Sequence, residues 1–412
     1  MEYYDSLETQ EPKARIATLR EALPMQIANA RERSVAYAKL LAAVDPEDVV
    51  DRAALAQLPV TRKADLKELQ QKEPPFGGLT TVDVGNLAKI FQSPGPIYEP
   101  EARRSDYWRM ARAFFAAGFR AGQPIHNAFS YHLTPAGSMM ESGARALGCP
   151  VIPAGVGQTE LQVKAIADLK PVGYTGTPSF LKILLDKASE LKLDASSLKR
   201  ALVGGEALPP SLRKELKERG VEVYQCYATA DLGLIAYESS ALEGMIADEG
   251  VLIEIVRPGT GDPVAEGEVG EVVVTTFNPE YPLIRFATGD LSAVLPGPSP
   301  CGRTNLRIKG WMGRADQTTK VKGMFVHPSQ VAEVLKRHPQ VLKARLVVDN
   351  QDHNDVMTLR CEVDNGQGAA TLSEALEATI REVCKVGGVV EFVAPASLPN
   401  DGKVIEDIRK YE

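Results

Sequence analysis

Four short stretches of the chain hold residues suited to a charged, hydroxylated ligand. Thr288-Gly289-Asp290 closes an apolar run on a glycine turn, Gly313-Arg314-Ala315-Asp316 follows, and Gly402-Lys403 comes near the C-terminus. A carboxylate on such a turn can accept hydrogen bonds from two adjacent hydroxyls, a guanidinium can donate to a sugar or phosphate, and an ammonium can neutralise charge developing on an oxygen. The fourth stretch is Ser93-Pro94-Gly95-Pro96-Ile97-Tyr98-Glu99-Pro100. In it Pro94 and Pro96 delete backbone donors and Glu99 adds negative charge, both of which weaken a turn as an anion site. Singly, each stretch is a common turn. Their order along one chain is the informative feature.

With 412 residues, 44% hydrophobic and 25% charged, the chain has the make-up of a large globular domain plus a smaller one. Its net charge of -7 comes from interspersed acids and bases, which argues against nucleic acid or an anionic membrane as partner and for a small molecule. Met1 to Glu11 lacks an apolar core of signal-peptide length and no later run approaches a membrane span, so a soluble, cytoplasmic protein is expected. The 5 cysteines are widely spaced without a Cys-x-x-Cys pair, the pattern of buried reduced thiols rather than a disulfide framework or zinc knuckle.

The elements that must position these residues follow from periodicity. Helical spacing is expected over Glu101 to Ala117, Thr134 to Leu147, Leu161 to Leu169, Ser179 to Leu191 and Pro210 to Arg219. Strand-like runs intervene at Ile125 to Phe129, Pro150 to Pro153, Val172 to Thr175, Ala201 to Val203 and Val221 to Tyr224, which predicts a parallel sheet covered by helices. After Glu243 the texture becomes strands with turn punctuation. Beyond Gly313 a strand, helix, strand, strand, helix, strand order predicts a small α+β domain. The fold class is therefore α/β, with a domain over 1–315 and a smaller one over 316–412.

These residues resemble the adenylate-forming superfamily of acyl-CoA synthetases, and more closely its phenylacetate-CoA ligase branch. The resemblance runs from about Leu58 to the C-terminus, through Leu58-Pro59-Val60-Thr61-Arg62-Lys63-Ala64-Asp65-Leu66, His126-Asn127-Ala128, Gly157-Gln158-Thr159-Glu160-x-Gln162, Gly176-Thr177-Pro178-Ser179, Gly204-Gly205-Glu206 and Tyr227-Ala228-Thr229-Ala230-Asp231. It implies a large N-terminal adenylate-forming domain and a mobile C-terminal one. It implies ATP, AMP, Mg²⁺ and coenzyme A as reaction partners, an aryl carboxylic acid as substrate, and a homodimer. By the same resemblance, Asp290 and Arg314 hold the ribose, Tyr227 stacks on adenine, and Gly204, Gly205, Glu206, Ala228 and Thr229 line the nucleotide. Asp231, one methylene shorter than the family's glutamate, holds Mg²⁺. Lys403 neutralises charge during carboxylate attack on the α-phosphate, Asp316 is the hinge, and Lys322-Gly323 faces the thiol. Phe129, Tyr131, Ala136, Gly137 and Tyr174 are the implied acyl-pocket residues, with core packing an equally good reading of each.

The chain departs from the family at two places. Its phosphate loop lacks the threonine hydroxyls, the second glycine and the lysine of the family pattern, which reads roughly Ser-Ser-Gly-Thr-Thr-Gly-Lys-Pro-Thr. The cysteine and histidine positions of a zinc site found in some relatives read Ser239-Ser240, Ile246, Ser299 and Cys301, so no structural zinc is expected. Two readings follow. One is ATP-dependent activation of an aryl acid and its transfer to coenzyme A; the other is a catalytically impaired homologue that binds nucleotide or acyl-CoA.

Overall fold

Short β-rich runs, each followed by a helix with one apolar face, form parallel βα units in the computed structural model. Parallel strands lie in the order Val151–Pro153, Ile125–Asn127, Gly173–Gly176, Arg200–Val203 and Glu222–Thr229; Gly233–Tyr237, Met245–Ala247 and Arg307–Ile308 continue the sheet antiparallel. The central strands are buried, with Tyr174, Ala201, Leu202 and Val203 fully inside, as a sheet covered by helices requires. From Ile125–Asn127 the chain first adds Val151–Pro153 on one side and then crosses to Gly173–Gly176 on the other. That reversal is a topological switch point, and in open α/β sheets ligands gather there, outside the carboxyl ends of the strands.

The helix expected over Glu101 to Ala117 is replaced by a hairpin, Leu87–Ser93 with Ile97–Ala102, and a shorter helix, Met110–Ala116. The apolar spacing is present, but the polar groups find other partners. Glu101 is buried and accepts from the Trp108 Nε1–H at 2.7 Å, the Asp106 carboxylate caps Ala111 N at 3.0 Å, and Arg109 is left-handed at φ 63°. The N-terminal segment, for which the sequence predicts no element, supplies the helix Pro12–Arg33 and a buried anchor. Glu8 there accepts from Tyr237 Oη at 2.8 Å and Arg303 Nε at 3.0 Å.

The chain divides into two units, one of residues 1–253, 274–286 and 295–311 and the other of 254–273, 287–294 and 312–412. The structure describes residues 2–315, 317, 319–322, 324–351, 354–363 and 369–409. In the second unit a sheet ordered Val389–Val393, Asn354–Val363, Val341–Gln351, Ile405–Asp407 accompanies the helices Pro328–Arg337 and Ala369–Cys384. Val331, Val334, Leu346, Leu359, Leu376 and Ile380 form its core. The expected α+β order is present, with two further strands, Met324–Val326 and Ile405–Asp407. No helix among the described residues is long and apolar enough to cross a membrane.

Candidate functional site

A cavity of about 270 Å³ lies in the first unit, lined by residues that follow the carboxyl ends of three parallel strands. Its apolar lining includes Phe129, Ala136, Met139 and Met140; Gly204, Gly205 and Ala228 to Ala230 supply backbone, and Lys63, Ser93, Thr134 and Thr229 supply polar groups. Asn127 shapes the apolar side. Buried at the end of its strand, it donates to Gly137 O at 2.9 Å and Tyr131 Oη at 2.7 Å, and its Oδ1 accepts from Phe129 N at 3.1 Å. Every polar atom of the amide is thereby used to hold the loop that carries Phe129 and Ala136. His126 and Gln162 brace the next loop. Gln162 Nε2 donates to Gly155 O (2.9 Å) and Gly157 O (2.7 Å), so its Oε1 faces His126 Nε2 at 2.7 Å and fixes the proton on that nitrogen. Burial holds His126 below the usual imidazole range, and hence neutral.

Behind the polar lining residues Lys63 and Ser93 stand two contrasting carboxylates. Asp231, at the hairpin tip between Glu222–Thr229 and Gly233–Tyr237, has a fully buried side chain whose Oδ2 takes the Lys63 ammonium at 2.5 Å. Its Oδ1 is buried without a hydrogen-bond partner among the described residues. Glu99 is also fully buried, on the strand Ile97–Ala102. It accepts from both Ser93 donors, the backbone N–H at 3.1 Å and the hydroxyl. Burial pushes the Glu99 carboxyl up to about 7 despite those bonds, with the nearby Asp231 charge adding to the shift.

An AMP-binding enzyme family profile matches residues 128–278, and an AMP-binding enzyme C-terminal domain matches residues 323–408. Phenylacetate-coenzyme A ligase of Thermus thermophilus is 33% identical over 88% of this chain and 84% of its own length. The enzyme of that name from Aromatoleum evansii is 30% identical over 88% and 85%. The chain belongs to the phenylacetate-coenzyme A ligase family. Among solved structures, a 2-hydroxyisobutyryl-CoA ligase in complex with 2-HIB-AMP and CoA matches with a TM-score of 0.71 at 25% identity, over 98% of this chain and 92% of that one. The fold is that of the adenylate-forming enzymes.

For this member of the phenylacetate-coenzyme A ligase family, the structure brings Phe129, Ala136, Gly204, Gly205, Ala228 and Thr229 onto one cavity. Tyr131 and Gly137 stand just behind it, joined through Asn127. Tyr174 does not line the cavity: it is fully buried in the core, and its hydroxyl donates to Thr177 O at 3.0 Å. Glu206 is exposed and accepts from Ser179 N at 2.7 Å, at the start of the helix Pro178–Leu191. Tyr227 is buried on its strand opposite Ala236. In the second unit, Asp290 and Arg314 face each other across a β-bridge and pair at 2.7 Å. Lys403 is half-exposed and reaches Glu406 at 3.2 Å. Its turn is pinned by Gln317 Nε2 to Gly402 O at 3.0 Å and by Arg345 Nη2 to Pro399 O at 3.1 Å. Asp316 and Gly323 lie outside the described residues.

Sequence reasoning gave no role to Lys63, Met139 or Met140. The methionines were accessible, because 136, 139 and 140 follow helical spacing on Ala136–Ala146. Lys63 was not: it begins a single 3₁₀ turn, where no periodicity marks the inward side chain. At the positions expected to have lost zinc ligands, Ser299 Oγ stands 3.1 Å from Cys301 Sγ and Arg303 Nη1 donates to that sulfur at 3.6 Å. Burial alone would raise the Cys301 thiol, but hydrogen bonds from Ser239, Ser299 and Arg303 hold it below its ordinary value. All 5 cysteines are free and buried.

Proposed function

We propose that the protein activates a small aryl carboxylic acid with ATP and passes the acyl group to coenzyme A. The observation that carries this reading is the shared cavity, in which the apolar cluster of Phe129, Ala136, Met139 and Met140 meets the glycine backbone at 204–205 and the Lys63 ammonium. A carboxylate would enter with its ring among the apolar side chains and its charge toward Lys63. At about 270 Å³ the cavity is at the lower edge of ligand-pocket size, which favours a compact acid over a long acyl chain. The phenylacetate-coenzyme A ligase relatives support the same substrate class, and they do not favour a homologue that binds without turnover.

In the first half-reaction a carboxylate oxygen forms a bond to the α-phosphorus and pyrophosphate leaves; in the second the coenzyme A sulfur forms a bond to the acyl carbon and AMP leaves, the thiol proton passing to solvent. Lys403 would neutralise charge in the first step. Asp290 and Arg314, already paired with each other, would hold the ribose, and Asp316 would be the hinge. A magnesium ion, when bound, supplies positive charge to the phosphates. Asp231 fits it through Oδ1, a buried acceptor without a partner among the described residues, since magnesium needs only one or two carboxylates beside phosphate and water.

The test is carboxylate-dependent AMP and pyrophosphate release across aryl and short-chain acids, with and without coenzyme A. Lys403→Ala should lower adenylate formation by about 10²–10³ fold, the range for losing one electrostatic stabiliser, while thioester formation from supplied acyl-adenylate falls far less. Equal losses in both steps would remove Lys403 from that role, and silence with every acid would sink the reading.

A further inference from the structure

We propose that Glu99 is a resident anion of the Ser93–Tyr98 turn, occupying the donors a polyphosphate would otherwise use and so setting how strongly the β- and γ-phosphates are held. The inference rests on the reading of the neighbouring cavity as an adenylate-forming site. Ser93 and Pro94 line that cavity, so the turn is placed to meet a ligand. Apart from the Gly95 N–H, its donors are nevertheless spent. Residues 94 and 96 are prolines and have no N–H. Ser93 gives both its N–H and its hydroxyl to the Glu99 carboxylate, Tyr98 N donates to Gln70 Oε1 at 2.8 Å, and Ile97 pairs with Ser93 in the hairpin ladder.

Glu99 reaches this position because strand alternation turns residues 97, 99 and 101 inward together, away from the more exposed Tyr98. Gln70 Nε2 also donates to Tyr98 O at 2.8 Å, so two hydrogen bonds hold the backbone beside Glu99 in place. A buried carboxylate held in this way acts on a polyphosphate twice: it withholds the Ser93 donors, and it repels phosphate charge through a poorly screened interior. A nucleoside monophosphate, held by the opposite wall of glycine backbone, meets neither effect. Any discrimination the chain makes between ATP and AMP is therefore assigned to one side chain rather than to the shape of the loop.

The test is calorimetric titration of ATP and of AMP into the wild-type protein and Glu99→Gln at pH 8. Gln is isosteric and keeps an acceptor for the Ser93 N–H, so the fold is retained and unchanged AMP binding will report it. We expect ATP to bind roughly tenfold more tightly to E99Q, the scale of removing one like charge several ångströms from a phosphate, with AMP affinity within about twofold of wild type. AMP binding to both proteins with an unchanged ATP-to-AMP ratio would overturn the inference alone. Loss of AMP binding in E99Q would make Glu99 a structural residue and overturn it too. Failure of the wild type to bind either nucleotide would overturn the adenylate reading beneath it.

Discussion

The two banks of the 270 Å³ cavity are built from similar residue types and end in opposite states. On the wall from Gly204 to Asp231, Gly204 N donates to Gly176 O at 3.3 Å, Gly205 lines the cavity, and a buried Asp231 oxygen has no hydrogen-bond partner among the described residues. On the turn from Ser93 to Glu99, a serine, a glycine and a buried carboxylate are also present, yet serine and carboxylate satisfy each other. Binding capacity thus depends less on which polar groups line a cavity than on which remain unsatisfied in the resting fold. A buried acceptor without a partner is costly, and such costs persist where a ligand relieves them.

The strongest way to break this contrast is to remove the cation on the open side. Lys63→Met would leave the Asp231 carboxylate buried and unpaired, and removing one partner of a buried pair costs about 3–5 kcal/mol. Because the Lys63 side chain is 30% exposed, the lower end applies, and we expect roughly 3 kcal/mol of lost stability in urea denaturation. Adding Asp231→Asn should recover most of it. A loss below about 1 kcal/mol would class the contact with surface ion pairs and remove the claim that the wall holds an unrelieved charge.

A somewhat smaller effect should appear on the closed side as pH dependence. The Glu99 carboxyl is raised to about 7 in the folded protein, whereas an unfolded glutamate titrates near 4.3. Between these values the native state binds the extra proton, so stability from this group is fully present below about pH 4.3 and is lost as pH rises through about 7. Over pH 5 to pH 8 the loss is up to about 2.7 kcal/mol. Asp106, raised to about 6 by burial, adds a similar loss ending lower. The stability difference between wild type and Glu99→Gln should therefore widen in favour of the variant from pH 5 to pH 8; a constant difference would show that Ser93 solvates the carboxylate as well as water does.

How much of this was legible in the sequence follows from the range of each interaction. The parallel sheet and the second unit's helices were legible, because periodicity is local and buried strands leave apolar runs. The loss of phosphate-loop donors at Pro94 and Pro96 was legible for the same reason: proline removes an N–H wherever it sits. That Glu99 turns inward onto Ser93 was not. It needs the hairpin Leu87–Ser93 with Ile97–Ala102, which the sequence reading took for a loop leading into a helix. The Lys63–Asp231 contact joins residues 168 apart in sequence, and nothing local marks either end. Tyr174 shows the converse: its neighbours in sequence suggest a pocket, but strand alternation turns it into the core.

The finest probe compares two glycines, one on each bank. Gly205 has φ +79° and Gly95 φ +150°, so a methyl group strains the backbone at both, by about 1–3 kcal/mol. Neither meets a hard wall: the Gly205 Cβ would touch the Phe129 ring at 3.5 Å, and the Gly95 Cβ the flexible Ile97 side chain at 3.1 Å. The two alanine variants should therefore lose comparable stability, each a small shift in the denaturation midpoint. Their ligand binding should differ, since Gly205 lines the cavity beside Phe129 and Gly95 does not. AMP affinity should fall severalfold in Gly205→Ala and hold in Gly95→Ala. Equal falls in both would mean that the turn does contact the monophosphate, and the division of labour between the two banks would have to be redrawn.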